Sequence, residues 1–226
     1  FGTVRSQVQI LSPRPLLRKV IITKTILYIV RHGQSTSNEK MILSGGNDDA
    51  ALTEKGIQQA HETKKKLEHV NFDTAYSSDL KRAAHTGSII YGDQIPATNQ
   101  LRALRERSFG SVEREHQDTM NESHKKIASL SPEEKWHYKH YPGVESDHSV
   151  SVRYIEALDK IARKEQGKTI LVGAHGSAIR TTLIGLDRES YQHVGPGTFK
   201  NGGYIVLEHD GDSLSIIEVE GVEESK

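Results

Sequence analysis

Two histidines occupy the same unusual setting in this chain. Tyr28-Ile29-Val30-Arg31-His32-Gly33 and Leu171-Val172-Gly173-Ala174-His175-Gly176 each run from an apolar stretch straight into His-Gly. Imidazole titrates near neutral pH, so it can serve as nucleophile, proton carrier or ligand. Ligands of open α/β sheets bind beyond the carboxyl ends of the strands, and both rings are therefore expected to face one crevice. The glycine after each permits a tight turn and close backbone approach. One such histidine would read as a strand cap; two in parallel settings read as a site. Arg31 adjoins the first, and Arg82 falls at the start of the helix expected after Ser77-Ser78. A guanidinium offers a rigid fork of donors matched to phosphate oxygens, and it repels a metal cation. Taken alone, Arg82 would be a solvated helix-face residue. Two arginines and two histidines in a chain without cysteine suit an oxyanion better than zinc. The helix N-terminus near Ser77, Ser78 and Leu80 is expected to add to anion affinity.

The elements that must position these residues alternate between strand and helix. Residues 25–30 (TILYIV) form an apolar, β-branched run suited to a strand buried on both faces, hence to a parallel or mixed sheet covered by helices. Residues 169–173 (TILVG) repeat the pattern. Brief strands are expected at 72–76 and 97–101, and a hairpin from 204–207 to 213–219 around Asp210-Gly211-Asp212. A helix is expected from the Thr53 N-cap to about residue 69, with Ile57, Ala60 and Leu67 on one face. Others are expected over 80–91, from 149 to about 166 with Val152, Ile155, Leu158, Ile161 and Ala162 at helical spacing, and through Ile179, Leu183 and Leu186. Residues 111–141 are polar and charged, with helical pieces around Ser131-Pro132, and read as an insertion. The pattern makes the class α/β with a central sheet.

Composition excludes more than it assigns. The 226 residues carry 30 Lys+Arg against 30 Asp+Glu and no cysteine. A disulfide framework, a thiolate metal site and a cysteine nucleophile are excluded, and no global field steers the chain toward nucleic acid or an anionic membrane. The apolar run near the start is shorter than the roughly 20 residues of a membrane span or the roughly 7–15 of a secretory core, so a cytoplasmic location is expected. Residues 1–19, broken by Pro13 and Pro15, are read as a non-native or disordered leader, with the native start near Val20. Residues 20–226 are read as a single domain.

Arg31-His32-Gly33-Gln34-Ser35-Thr36-Ser37-Asn38 resembles the signature of the histidine phosphatase superfamily, in its phosphoglycerate mutase-like branch. The resemblance spans roughly residues 24–220 in the expected order. Leu52-Thr53-Glu54-Lys55-Gly56 with Gln59-Ala60 is similar to the second block, and Ser77-Ser78-Asp79-Leu80-Lys81-Arg82-Ala83 with Thr86 to the third. Leu104-Arg105-Glu106-Arg107-Ser108-Phe109-Gly110 resembles the acid-bearing block, and Gly173-Ala174-His175-Gly176 with Ile179-Arg180 the last. The resemblance implies a three-layer sandwich: a central, mostly parallel mixed sheet, helices on both faces and the insertion as a helical lid. It also implies roles. His32 would be the nucleophile, Glu106 the general acid and base, and Arg31, Arg82, Asn38 and His175 the groups holding phosphoryl oxygens. The charge state of His175 is left open, and Glu106 in its Arg-Glu-Arg run also reads as a surface carboxylate.

The same resemblance makes Asp48-Asp49 the loop before the second block. The spacing of His116, His124, His137, His140 and His148 matches no metal motif and suggests surface histidines. Neither a metal nor a cofactor is expected. Phosphoglycerate mutases carry a Trp-Arg-Arg-Ser-Tyr stretch in the insertion; here it reads Lys135-Trp136-His137-Tyr138-Lys139-His140-Tyr141, without paired arginines. That departure weighs toward a phosphomonoester hydrolase acting through phosphohistidine on a small-molecule phosphate ester. A mutase is the alternative, and a non-catalytic phospho-ligand module ranks below both. No nucleic acid or membrane partner is expected, and the oligomeric state is left open, a homo-oligomer included.

Overall fold

The apolar run at 25–30 is strand β1 (Thr25–Arg31), and its side chains serve two cores. Leu27 and Ile29 join one apolar cluster, while Val30, with Ile26 and Tyr28 packed beside it, joins another. An apolar run that fills both faces is what a strand between two helical layers requires. The structure, a computed structural model, describes residues 23–187 and 194–222; the leader expected over 1–19 and the start expected near Val20 lie outside the described residues.

Six strands form one sheet in the order β3-β2-β4-β1-β5-β6. Beside β1 these are β2 (Thr74–Ser78), β3 (Gln100–Leu101), β4 (Thr169–Ala174), β5 (Phe199–His209) and β6 (Leu214–Val222). Pairings among β3, β2, β4 and β1 are parallel, whereas β5 and β6 run antiparallel. Helices α2 (Glu54–Lys66) and α3 (Lys81–Tyr91) cover one face, and α6 (Asp147–Lys164) and α7 (Gly176–Leu186) the other. The expected three-layer arrangement around a mixed sheet is therefore present. Asp210 Oδ1 accepts from the N–H groups of Asp212 and Ser213 and closes the β5–β6 hairpin at the expected turn.

Local chemistry explains most boundaries. The Thr53 hydroxyl accepts from Gly56 N–H and caps α2. Ser131 and Glu134 form a reciprocal capping box that starts α5 (Pro132–His137), after α4 (Asn121–Ala128); these are the helical pieces expected in the insertion.

Three expectations need correction. The strand at 97–101 is a 3₁₀ turn over Ala97–Asn99 followed by only two paired residues, because Pro96 and the turn leave little chain to extend. β2 lies two residues later than expected, which carries Ser77 level with Gly173. Helix α6 starts at a Ser146 cap, and its buried stripe is Val150, Tyr154, Leu158 and Ile161. Val152 lies roughly 200° around the helix from Val150 and is 42% exposed.

The histidine turn is wedged against α2. A Cβ on Gly33 would stand 2.1 Å from the Gly56 carbonyl oxygen, and a Cβ on Gly56 2.1 Å from that of Gln34. Backbone meets backbone here, so no side chain can yield. We expect Gly56→Ala to cost on the order of 3 kcal/mol, read as a lowered urea midpoint at unchanged m-value; a midpoint equal to wild type would refute the close packing.

Candidate active site

Register brings the two histidines together. Arg31 pairs with Ala174 as the last rung between β1 and β4, and the His32 N–H then donates to the Ala174 carbonyl at 3.0 Å. The next residues are His32 and His175, whose ring centroids lie 5.2 Å apart at 68°. They are 4% and 0% exposed.

His32 is held in one tautomer. Nδ1 lies 2.6 Å from the Gly33 carbonyl oxygen, so it carries the proton, and Nε2 accepts from Arg82 Nε at 3.2 Å. The lone pair of Nε2 thus points along the arginine toward the crevice. Burial, together with the nearby Arg82 and Arg31, holds the ring well below its ordinary pKa of 6.5, so it is neutral at physiological pH. His175 is depressed likewise, by burial first and then by Arg82, His32 and Arg31. Among the described residues, neither of its buried ring nitrogens has a hydrogen-bond partner.

The arginines reach the same place from different elements. Arg31 donates a terminal N–H to the Phe199 carbonyl, while its buried Nε has no partner among the described residues. Gly176 makes room for it: a Cβ there would stand 3.0 Å from Arg31 Nε. Arg82, fully buried on the first turn of α3, also donates to the backbone carbonyls of Ser44, Gly45 and Asp48. That loop is cinched by the Asp48 carboxylate, which accepts from the hydroxyls of Ser37 at 2.7 Å and Ser44 at 2.6 Å. Burial pushes the Asp48 carboxyl up, but these hydroxyls and the charges of Arg82 and Arg114 outweigh it and keep it ionised.

Glu106 is not a surface carboxylate. It is 7% exposed and accepts from Ser177 N–H at 3.0 Å and Ala178 N–H at 3.2 Å in the first turn of α7, and from Arg107 N–H at 2.7 Å. Its charge counteracts the effect of burial on both Arg31 and Arg82. Asn38 lies in α1 (Thr36–Glu39), directly after the histidine turn; its Oδ1 accepts from Ser35 N–H at 3.1 Å in a capping box, and its Nδ2 takes no part in that cap. His32, His175, Arg31, Arg82 and Glu106 thus converge, while the contacts of Asn38 are those of its local cap.

The anion site expected at the start of α3 is already taken. Asp49 accepts from Lys81 N–H at 2.7 Å and pairs with the Lys81 ammonium at 3.2 Å. Thr86, named in the third block without a role, accepts from Gly33 N–H at 3.1 Å. Asn201, which the sequence did not single out, donates from Nδ2 to the His32 carbonyl at 2.8 Å. An Asn-Gly-Gly interruption in an otherwise apolar strand was the available signal for Asn201. Behind Glu106, Asp147 bridges Arg107 and Arg180 in a buried ion triad. His140 departs from the expected surface role: burial first, then Arg107 and His124, lowers its pKa to about 4.

The chain belongs to the histidine phosphatase superfamily (branch 1), which it matches over residues 27–220. A 2,3-bisphosphoglycerate-dependent phosphoglycerate mutase of Parvibaculum lavamentivorans is 32% identical over 200 residues, covering 82% of this chain and 90% of that one. Among solved structures, a phosphoglycerate mutase from Bacillus anthracis superposes with TM-score 0.73 at 27% identity, over 88% of this chain and 94% of that one. A phosphoserine phosphatase variant from Entamoeba histolytica, in complex with phosphoserine, gives 0.72 at 25%, over 87% and 96%.

The two buried neutral histidines set a pH dependence. Unfolded, each ring binds a proton below about pH 6.5 that the native state refuses, so stability falls as pH drops through that value. Each histidine is expected to cost about 1.4 kcal/mol in all between pH 7.5 and 5.5, the slope nearing about 1.4 kcal/mol per pH unit only below that range. Urea unfolding between pH 7.5 and 5.5 measures it; a flat profile would mean that the rings are protonated or hydrated in the native protein.

Proposed function

We propose that this protein is a phosphomonoester hydrolase working through a phosphohistidine on His32. The observation that carries this reading is a buried, single-tautomer imidazole whose unprotonated Nε2 accepts from Arg82, with Arg31 and a second imidazole close by. In the reaction, Glu106 first takes up a proton; Nε2 then attacks phosphorus and the bond to the ester oxygen breaks as Glu106 gives that proton to the oxygen. Water then attacks the phosphohistidine, Glu106 takes its proton, and phosphate leaves with His32 restored. Arg31, Arg82, His175 and Asn38 hold the phosphoryl oxygens and stabilise charge through both transfers. The arriving phosphoryl group must exchange places with one existing bond, since Arg82 Nε now donates to the nitrogen that attacks. The insertion, with α4 and α5, is read as the lid that decides the ester.

Phosphatase is preferred over mutase because the insertion lacks paired arginines; its one tryptophan, Trp136, is buried beside His148. The mutase reading is favoured instead by the phosphoglycerate mutase relative. The phosphoserine phosphatase from Entamoeba histolytica has been solved in complex with phosphoserine and with 3-phosphoglyceric acid, which suggests small phosphorylated acids as first substrates to try.

The deciding assay is phosphate release from a panel of esters with EDTA present, run beside interconversion of 3- and 2-phosphoglycerate with a bisphosphate primer. We expect release that EDTA does not inhibit; interconversion without release would make the protein a mutase. His32→Ala should abolish turnover while the protein stays folded, and retained activity would remove the nucleophile assignment. Glu106→Gln should slow alkyl esters by about 10²–10⁴-fold and nitrophenyl phosphate much less, because nitrophenolate leaves without a proton. Equal losses on both would refute Glu106 as the acid.

A further inference from the structure

Strand β5 does not pair evenly with β6. Phe199 is opposite Val222 and Tyr204 is opposite Glu220, so Lys200, Asn201, Gly202 and Gly203 stand against Gly221 alone. Gly202 takes φ +75°, a left-handed value that glycine adopts without strain. The excess chain folds out over the histidine turn, and its polar groups are engaged there. The Phe199 carbonyl accepts from Arg31, the Asn201 amide donates to the His32 carbonyl, and the Gly202 carbonyl accepts from Thr63 of α2 at 2.9 Å. Bulges recur beside active sites, where they re-aim side chains.

The peptide joining His32 to Gly33 is therefore gripped at both ends. Asn201 holds its carbonyl at 2.8 Å, and Thr86 accepts from its N–H at 3.1 Å. The next carbonyl, of Gly33, is the partner of His32 Nδ1. With the peptide plane held, that carbonyl points at Nδ1 and the proton stays there, leaving Nε2 as the free nitrogen. If the plane turns, the Nδ1 bond loosens, the ring rotates and the other tautomer becomes accessible.

We propose that Asn201, carried by the β5 bulge, is a positioning residue that sets the tautomer and aim of His32 through the His32–Gly33 peptide. The inference rests on the reading of His32 as nucleophile, but its central claim concerns ring geometry and can be tested apart from activity.

The experiment combines nitrogen NMR of histidine-labelled protein with steady-state kinetics. In wild type, the His32 signals, assigned by their loss in His32→Ala, should be those of a single Nδ1–H tautomer at pH 7. In Asn201→Ala, and in the near-isosteric Asn201→Asp, which removes the donor, they should shift toward a tautomer mixture. On the best ester of the panel, kcat should fall about 10–100-fold, since small misplacements of a reacting group are costly, with KM changed less than about threefold. Folded variants that keep the wild-type tautomer and kcat would overturn the inference while leaving the nucleophile reading intact. Should neither variant fold, wild type alone decides: an Nε2–H tautomer or a mixture overturns the proposal, and a single Nδ1–H tautomer supports it. An active His32→Ala would instead defeat the nucleophile reading, with the tautomer result standing on its own.

Discussion

The crevice depends on one rung of parallel sheet. Because Arg31 and Ala174 close the pairing of β1 with β4, the two strands release their chains at the same height, and the two His-Gly turns leave side by side. A shift of one residue in either strand would send its histidine to the opposite face of the sheet. Register is guarded by burial on both sides: Leu27, Ile29, Ile170 and Val172 serve one core, and Val30 and Leu171 the other. The site thus inherits its precision from apolar packing well below it.

The same burial creates the site's chemistry. An imidazole in this place loses its proton because charge is poorly solvated and two guanidinium groups are near. The result is a neutral ring with an unprotonated Nε2, the form that can attack phosphorus once the Arg82 bond is exchanged. Among the described residues, burial also leaves Arg31 Nε and both nitrogens of His175 unpaired. Unpaired buried polar groups are expensive and rare in native proteins, and their clustering around His32 is what a phosphoryl group would relieve. Stability has been exchanged for an environment poised toward an oxyanion.

Support comes from buried polar contacts around the site. Asp48 collects two hydroxyls to shape the loop whose carbonyls orient Arg82. Asp147 joins Arg107 to Arg180 behind Glu106, and Glu106 sits on the first turn of α7. Buried networks of this kind hold reacting groups to a geometry that loops alone would not maintain, although among the described residues Arg107 Nε has no partner. In the comparisons above, one framework serves proteins named as mutase and as phosphatase, consistent with specificity residing outside it.

The sequence by itself determined the strands of the core, the caps at Thr53 and Ser131, the α/β class and the five residues that converge. Each of these is written locally, in apolar periodicity, in a capping hydroxyl or in a motif of contiguous residues. It could not show that Asp49 occupies the start of α3, that Glu106 is bound by α7, or that Val152 faces outward. Those outcomes depend on contacts between segments far apart in the chain, 32 residues for Asp49 with Lys81 and 71 for Glu106 with Ser177. Asn201 is the extreme case. It acts 169 residues from His32, through a side chain whose type suits any turn, and only the bulge in β5 gives it a place. Local patterns encode which groups are present; the packing of distant backbone decides which of them touch.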